Sequence, residues 1–470
     1  MKQYFSSSFI LPISSFMSNS KLLILLNGGK MSRNYLLGIA NSARRLGVDH
    51  YCVEIDQVRA AMAQNQGSAI HQFDALLQRE RIGAVLSYTL NGCDLPGENA
   101  SGTFRTFFEL RGIPHLMFWT DHPQWAADKQ GLNTKLQPAF RSANCFHFVK
   151  TSAHAIELNR ILGWPNCFDC PLACDPGQIR PADTADPEFD IVAIYGGSPR
   201  LLDRLRPFLD AEDPDPRDLM LSYADDIRAG LDALWKSDAP DMLRPQLQAL
   251  SSKLLDARLN DPLKASIWHV PGLAQEFPVA MRWLTANHLS YFKMTAHLYK
   301  LRNWLRHFMP AYLARYVRLA IFGGDWTGMG CIKGEWGSNA PSTGLGTGWI
   351  DLADMPKVLA KGRLTLNLSA GYDEEGITAK PFEIAASGVT MLHNDATGLG
   401  DFFKLGEEAF SFSTPKEARK IVQEMIDDPV RCRAVGAAAR ARLEKDHSWD
   451  SRLTRLLSVL DRSVATAQAA

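Results

Sequence analysis

Lys21 to Leu26 (KLLILL) is a continuous apolar run that ends on Asn27-Gly28-Gly29. It is too short for a typical helix and does not alternate, so both of its faces are buried. That is the pattern of a parallel strand closed by a glycine turn. Parallel strands need long crossover connections, usually helices, and the chain supplies them. The periodicity predicts a helix over 35–46 closed at Gly47, a strand at 51–53, a helix over 69–79, a strand over 84–88, a helix over 103–110 and a strand over 114–119. This alternation implies a doubly wound sheet over 20–175.

From Pro171 to Phe189 the chain is rich in Pro and Asp and reads as an interdomain connection, with the linker itself at 176–189. A second strand-helix series starts at 190–195, ends on Gly196-Gly197 and is interrupted at once. Residues 200–316 carry long helical patterns with hardly any strand signal, and alternation resumes only at 318–322, before Gly323-Gly324. A glycine-rich loop over 324–348 follows, then a helix at 355–361, a strand at 364–368, a helix beginning near Ala379, strands at 389–392 and 409–412, and three closing helices. The expected fold is therefore α/β, with two Rossmann-like doubly wound domains, a cleft between them and a helical insertion, 200–316, in the second. The expected limits are an extension at 1–18, a first domain at 19–175 and a second at 190–470.

A chain of 470 residues, 46% hydrophobic and 22% charged, has the composition of a packed globule of two to three domains. Basic and acidic residues balance at 51 each, so whole-molecule attraction to nucleic acid or to an anionic membrane is not indicated. The Ser-rich start, MKQYFSSSFILPISSF, lacks the long apolar core of a signal peptide and reads as a disordered extension or an upstream start ahead of Met17. No run reaches the ~18 to 20 apolar residues that span a bilayer. The expected location is cytoplasmic. Cys167, Cys170 and Cys174 are spaced closely enough to hold a metal, yet no fourth Cys or His lies near in sequence, so no metal site is expected.

The chemistry-bearing stretch is GYDEEGITAKPFEIAASGVTMLHND, Gly371 to Asp395. It frames one cation, Lys380, between two carboxylates, Glu375 and Glu383, at a loop-to-helix junction. A helix start at Ala379 would offer N–H groups and partial positive charge suited to a phosphate. Glu383, one turn in, could then accept two sugar hydroxyls. The plainer reading is that Glu375 caps the helix and Glu383 is solvated. In a doubly wound sheet ligands lie beyond the carboxyl ends of the strands. That directs attention to Gly28 and Gly29, where backbone can approach a ligand, and to Asp121 and His122, which could orient or polarise a hydroxyl.

The run EGITAKPFEIAASGVTMLHNDATGLGDFFKLGEEAFSFST resembles the carboxyl-terminal donor domain of GT-B glycosyltransferases, in the group-1-like branch that includes the CgeB-type spore maturation proteins. The resemblance extends to GWIDLADMPKVLAKGRLTLNLSA, to the tail segment DHSWDSRL and, more loosely, to GIPHLMFWTDHP. It implies transfer of a sugar, hexosyl or related, from a nucleotide sugar to a glycan, lipid-linked or protein acceptor, as in cell-envelope polysaccharide synthesis. It further implies retention of configuration, no metal, and no cofactor beyond the nucleotide-sugar co-substrate. Carried over by position, Glu383 binds the ribose hydroxyls, Glu375 faces the transferred sugar, Lys380 meets the diphosphate, Thr378 joins the donor contacts, and Gly28 and Gly29 face the donor phosphates or acceptor. Gly376-Ile377-Thr378 departs from the Gly-Phe-Gly segment usual after the first glutamate, which bears on Glu375 more than on Glu383. A sugar-nucleotide isomerase or hydrolase on the same fold, or a non-catalytic glycan-binding relative, are the alternatives.

Inside the insertion, no acidic residue occurs between Glu276 and Asp325, whereas Arg282, Lys293, Lys300, Arg302, Arg306, Arg315 and Arg318 do. Trp283, Tyr291, Phe292, Tyr299, Trp304, Phe308, Tyr312 and Tyr316 are interleaved with them. A basic and aromatic segment over 277–318 suits peripheral contact with an anionic membrane or a polyanionic acceptor. Helix packing with a solvated basic face is the plainer account.

Overall fold

The computed structural model describes residues 19–100, 103–124, 140–181, 186–194, 202–261, 264–322, 350–369, 375–395 and 398–469. The extension at 1–18, Gly196-Gly197 and the glycine-rich loop at 324–348 lie outside them. Two compact units emerge. One comprises the described residues up to Asp175 together with those from Lys445 onward, and the other runs from Pro176 to Glu444.

In the first unit, β1 (Lys21–Leu26) has Leu22 to Leu26 all buried, as a strand covered on both faces requires. It lies inside a six-stranded sheet with β2 (His50–Glu54), β3 (Ile82–Tyr88), β6 (His115–Trp119), β7 (Cys145–Val149) and β8 (Cys167–Asp169). The order is β2-β1-β3-β6-β7-β8, and every pairing is parallel. The first crossover helix, Lys30–Arg45, begins directly after Gly29, earlier than its apolar periodicity indicates. One face of the sheet is covered by Ile55, Phe73, Leu77, Phe107 and Phe108, packed on Leu23, Leu25 and Val85. Each such side chain contributes roughly 1.5–3 kcal/mol over its exposed state.

The helix expected over 103–110 does not form. A short antiparallel ribbon, β4 (Glu98–Ala100) with β5 (Thr103–Arg105), is followed by a single 3-10 turn at Glu109–Arg111. Phe107 and Phe108 are both fully buried, edge to face at 5.4 Å, and one apolar stripe would not bury both. Arg111 holds the turn by pairing with Asp74.

Residues 445–469, which the sequence reading left with the second domain, pack in the first unit. The final helix, Trp449–Ala469, lies on Lys30–Arg45: Arg45 reaches Asp450 at 2.6 Å, and Arg455 reaches Asp169 at 2.6 Å. Arg452 is buried and donates to the carbonyls of Pro171 and Leu172, satisfying backbone groups just past β8.

The second unit holds a five-stranded sheet of β9 (Phe189–Ile194), β10 (Leu319–Phe322), β11 (Gly362–Asn367), β12 (Thr390–Asn394) and β13 (Phe410–Phe412). Its order is β10-β9-β11-β12-β13, again with every pairing parallel. The connection from β9 to β10 is the expected insertion, whose longer helices are Ala224–Asp238, Arg244–Asn260, His288–Tyr299 and Trp304–Ala314. Helix Pro415–Asp427 starts on Thr414, whose hydroxyl accepts the Glu417 N–H at 3.2 Å, as the sequence Thr-Pro-Lys-Glu favours.

Each sheet thus reverses its winding beside its first strand, between β1 and β3 and between β9 and β11. The carboxyl edge of such a reversal is where doubly wound sheets take ligands. Among the described residues no helix is long and apolar enough to cross a membrane.

Candidate functional site

In the second unit β11 ends at Asn367 beside the winding reversal, and the chain passes through Glu375 into the helix Lys380–Ser387, which returns to β12. Two contacts set this edge. The Ser369 N–H donates to Oδ1 of Asn394 at 2.7 Å, tying the exits of β11 and β12 together. Gly376 has φ 78° and Gly398 φ 119°, and a Cβ on Gly398 would lie 3.2 Å from the Gly376 Cα, so the two turns meet backbone to backbone. Gly388, with φ 73°, ends the helix in the left-handed conformation.

Ala379 is the N-cap and offers no side-chain cap. The start of the helix has fewer N–H groups to give than its sequence position suggests. Pro381 has none, and that of Lys380 donates to Oγ1 of Thr378 at 3.3 Å. Positive charge at the helix start therefore comes chiefly from the Lys380 ammonium. Its Nζ lies 2.7 Å from Oε2 of Glu383 and 3.5 Å from Sδ of Met355. The ammonium side chain is 32% exposed and the carboxylate 7%, so a buried anion is neutralised by a cation that reaches solvent. An ammonium carries three donors and can keep Glu383 while serving a second acceptor. Glu383 is not the solvated carboxylate of the plainer reading. Glu375 is half-buried, and its Oε1 accepts the indole N–H of Trp268, a residue of the insertion.

Two further groups stand at the exit of β12. Arg302, also from the insertion and buried, donates to the Asp395 carbonyl at 3.0 Å. His393 is buried next to it, and burial pushes its pKa down to about 4. Sequence reading missed Trp268 and Met355 and gave Arg302 to a basic surface of the insertion, because the partners of all three are remote in the chain.

In the first unit, Gly28 and Gly29 join β1 to its helix. The Gly28 N–H donates to Oδ2 of Asp56 at 2.9 Å, and Ser32 Oγ donates to Oδ1 of Asn27 at 2.6 Å. Asp56 is held ionised by its hydrogen bond from Arg59 and then by Gly28. A carboxylate on the turn opposes a phosphate there and leaves the turn better matched to a neutral hydroxyl.

Asp121 and His122 follow β6. Asp121 is half-buried, and its Oδ2 lies 3.4 Å from Oγ1 of Thr120, which is 2.7 Å from the Tyr88 hydroxyl. Burial, then the Asp121 charge, raises the Tyr88 pKa to about 12. His122 is fully buried beneath the same turn. Its Nδ1 accepts the Gln124 N–H at 3.1 Å, and in that tautomer Nε2–H donates to Oε2 of Glu157 at 2.6 Å. Both ring nitrogens are engaged, which suits bracing the turn that carries Asp121. Lys150, at the exit of β7, is also buried, and desolvation pushes its pKa down to about 8 against the opposing charge of Asp121.

Among the described residues no three His, Cys, Asp or Glu side chains converge as a metal site would. Cys170 and Cys174 are buried thiols, and burial pushes the Cys170 pKa up to about 12. The aromatic half of the 277–318 pattern is absorbed by packing: Tyr291, Phe292, Tyr299, Trp304, Phe308 and Tyr312 are buried. Several of the cations have acidic partners, Lys293 with Asp238 at 2.8 Å, Arg315 with Asp210 at 3.3 Å and Arg318 with Asp190 at 3.0 Å. The mixed basic and aromatic surface expected there is not formed by these side chains.

Residues 302–458, which include Glu375, Thr378, Lys380 and Glu383, match a family model described as "Glycosyl transferase-like". No curated protein matches the chain. Among solved structures, the chain is similar to a sucrose-phosphate synthase from Thermosynechococcus elongatus, at 12% identity over 95% of this chain and 100% of that one, with a TM-score of 0.48. It is similar to HepE from Anabaena in complex with UDP and glucose, at 10% identity over 96% and 100% of the two chains, with a TM-score of 0.44. A third similarity is to the BGT protein of phage T4 in complex with its UDP-glucose substrate, at 8% identity over 94% and 99%, with a TM-score of 0.41.

Proposed function

We propose that this chain is a glycosyltransferase of GT-B architecture that moves a sugar from a nucleotide-sugar donor to a glycan or lipid-linked acceptor. The observation that carries this reading is the Lys380–Glu383 pair, 2.7 Å apart at a helix start beside the winding reversal, within the stretch that matches a glycosyl transferase-like family.

Breaking a sugar-phosphate bond leaves a nucleoside diphosphate whose growing negative charge must be met, and a sugar with oxocarbenium character. In this reading Lys380 meets the diphosphate, because its ammonium is half-exposed and fixed in place by Glu383. Glu383 accepts the ribose hydroxyls, Thr378 orders the turn between them by holding the Lys380 N–H, and Glu375 faces the transferred sugar. On the acceptor side, Asp121 takes the proton of the incoming hydroxyl with His122 as its brace, and Gly28 and Gly29 give the acceptor backbone-close access. Transfer proceeds with retention and without a divalent ion, the charge work falling to Lys380. The donor domain corresponds to the second parallel sheet with its insertion, and the acceptor domain to the first.

Incubation with a panel of nucleotide sugars, with and without sugar acceptors and with EDTA, tests this. The expected result is nucleoside diphosphate release that one donor supports, that an acceptor accelerates and that EDTA leaves intact, with the product anomer matching the donor by NMR. Interconversion of the sugar nucleotide without transfer, or no turnover of any donor, would overturn the reading.

A further inference from the structure

The insertion between β9 and β10 supplies a side chain to the loop that carries Glu375. Trp268 closes a single 3-10 turn, Ser266–Trp268, and its indole N–H donates to Oε1 of Glu375, 107 residues further along the chain.

This turn is braced from below. Arg258, only 1% exposed, sits in the last turn of helix Arg244–Asn260 and donates to the carbonyls of Asp261 and Lys264. A buried guanidinium thus ties the end of the helix to Lys264, two residues ahead of the turn, and hydrogen bonds from a charged donor are the stronger ones. Ser266 and Ile267 are buried beside it, whereas Trp268 stays 38% exposed. The anchors of the turn lie inside the unit while the indole stands at the surface. A Trp left in that state forgoes much of the burial energy of its ring. Its polar edge is what the fold uses, and that edge is aimed at a carboxylate.

We infer that Trp268 is a positioning residue for Glu375. The inference rests on the reading in which Glu375 faces the transferred sugar. A carboxylate beside a developing oxocarbenium is effective only while its oxygens keep a fixed direction, and side-chain freedom is lost again at each turnover unless another group holds it. The indole N–H holds one oxygen before any donor arrives. The insertion is thereby part of the reaction centre, and removing the N–H should act on turnover through Glu375 and not on donor binding.

The test compares Trp268→Phe, which keeps an aromatic ring and removes the donor, with Glu375→Gln and the double variant. Steady-state kinetics and hydrogen exchange of the amides at 375–379 are the two readouts, and Trp268→Ala checks that the ring itself is tolerated. Trp268→Phe is expected to lower kcat about tenfold with donor KM nearly unchanged, to speed exchange at 375–379, and to have no further effect in the Glu375→Gln background. An unchanged kcat with unchanged exchange overturns the inference, as does an equal loss in both backgrounds. If the unaltered protein turns over no donor, the sugar-transfer reading falls by itself. The exchange comparison then still decides the Trp268 contact, and equal exchange in protein and variant overturns it.

Discussion

Lys380 and Glu383 form an ion pair at 2.7 Å in which the carboxylate is buried and the ammonium is half-exposed. The two are one helical turn apart, so the pair is made locally and survives changes elsewhere in the unit. Truncating Glu383 frees an ammonium that water can reach, and the fold is expected to persist. Donor affinity is not, because in the proposed reading Glu383 is the charged acceptor of two ribose hydroxyls. Glu383→Ala should weaken the cognate nucleoside diphosphate at least about tenfold in titration calorimetry. Unchanged affinity would remove Glu383 from the donor site.

Lys380 is expected to act later in the reaction than Glu383 does. Charge on the diphosphate grows as the bond breaks, so a cation there stabilises the transition state more than the bound donor. Lys380→Met leaves Glu383 buried without its partner and should lower the melting temperature somewhat. Its larger effect should be on kcat, roughly a hundredfold, with a smaller rise in donor KM. A rise in KM alone would count against a leaving-group role.

What the sequence disclosed and what it withheld divide along sequence separation. KLLILL and its glycine turn are legible because burial on both faces removes all alternation, a purely local signal. The helix Lys380–Ser387 is legible because Gly388 stops it and Lys380, Pro381 and Glu383 start it, again within one short segment. The burial of His122 under Glu157, the reach of Trp268 to Glu375 and the seating of the last helix on the first unit join residues 35, 107 and 405 positions apart. No periodicity reports such pairs. The segment around Phe107 and Phe108 misleads for the same reason: its place between two strands suggests a crossover helix, but its Thr and Phe residues are weak helix formers, and burying two successive rings on Phe73 and His115 wins.

The seating of the last helix has a steric test. A Cβ on Gly38 would stand 2.6 Å from Cδ1 of Trp449 and 2.7 Å from its Nε1, so the ring occupies the space of a side chain. Gly38→Val should cost roughly 1–3 kcal/mol through overpacking, read as a lowered melting temperature. Trp449→Ala costs more by itself, but in its background Gly38→Val should be nearly neutral, since the opposing atoms are gone. Equal costs in the two backgrounds would mean that the helix does not pack there.

Stability should rise with pH in two separate windows. His115, His147 and His393 are fully buried, and burial lowers their pKa values to about 3, 4 and 4. A base whose pKa is depressed on folding binds more protons unfolded than folded, so its contribution is complete above the unfolded value near 6.5 and is lost as pH falls through the folded value. Each such histidine is worth a few kcal/mol, on the order of 3 to 5, between the unfolded and the folded value. Melting temperature should therefore fall steeply from pH 6.5 to 4, and His147→Gln should make that limb shallower. Lys150 has the same sign at higher pH. Its pKa drops from 10.5 to about 8, so below pH 8 the fold carries the full cost of holding its charge. Lys150→Met, close in volume, should raise the melting temperature at pH 7 and flatten the rise between pH 8 and 10.5. Its activity should fall if the buried cation supports Asp121 in taking the acceptor proton. A melting temperature that is flat in both windows would show that these groups are hydrated in solution and are not enclosed at the start of β6, along β7 and at the exit of β12.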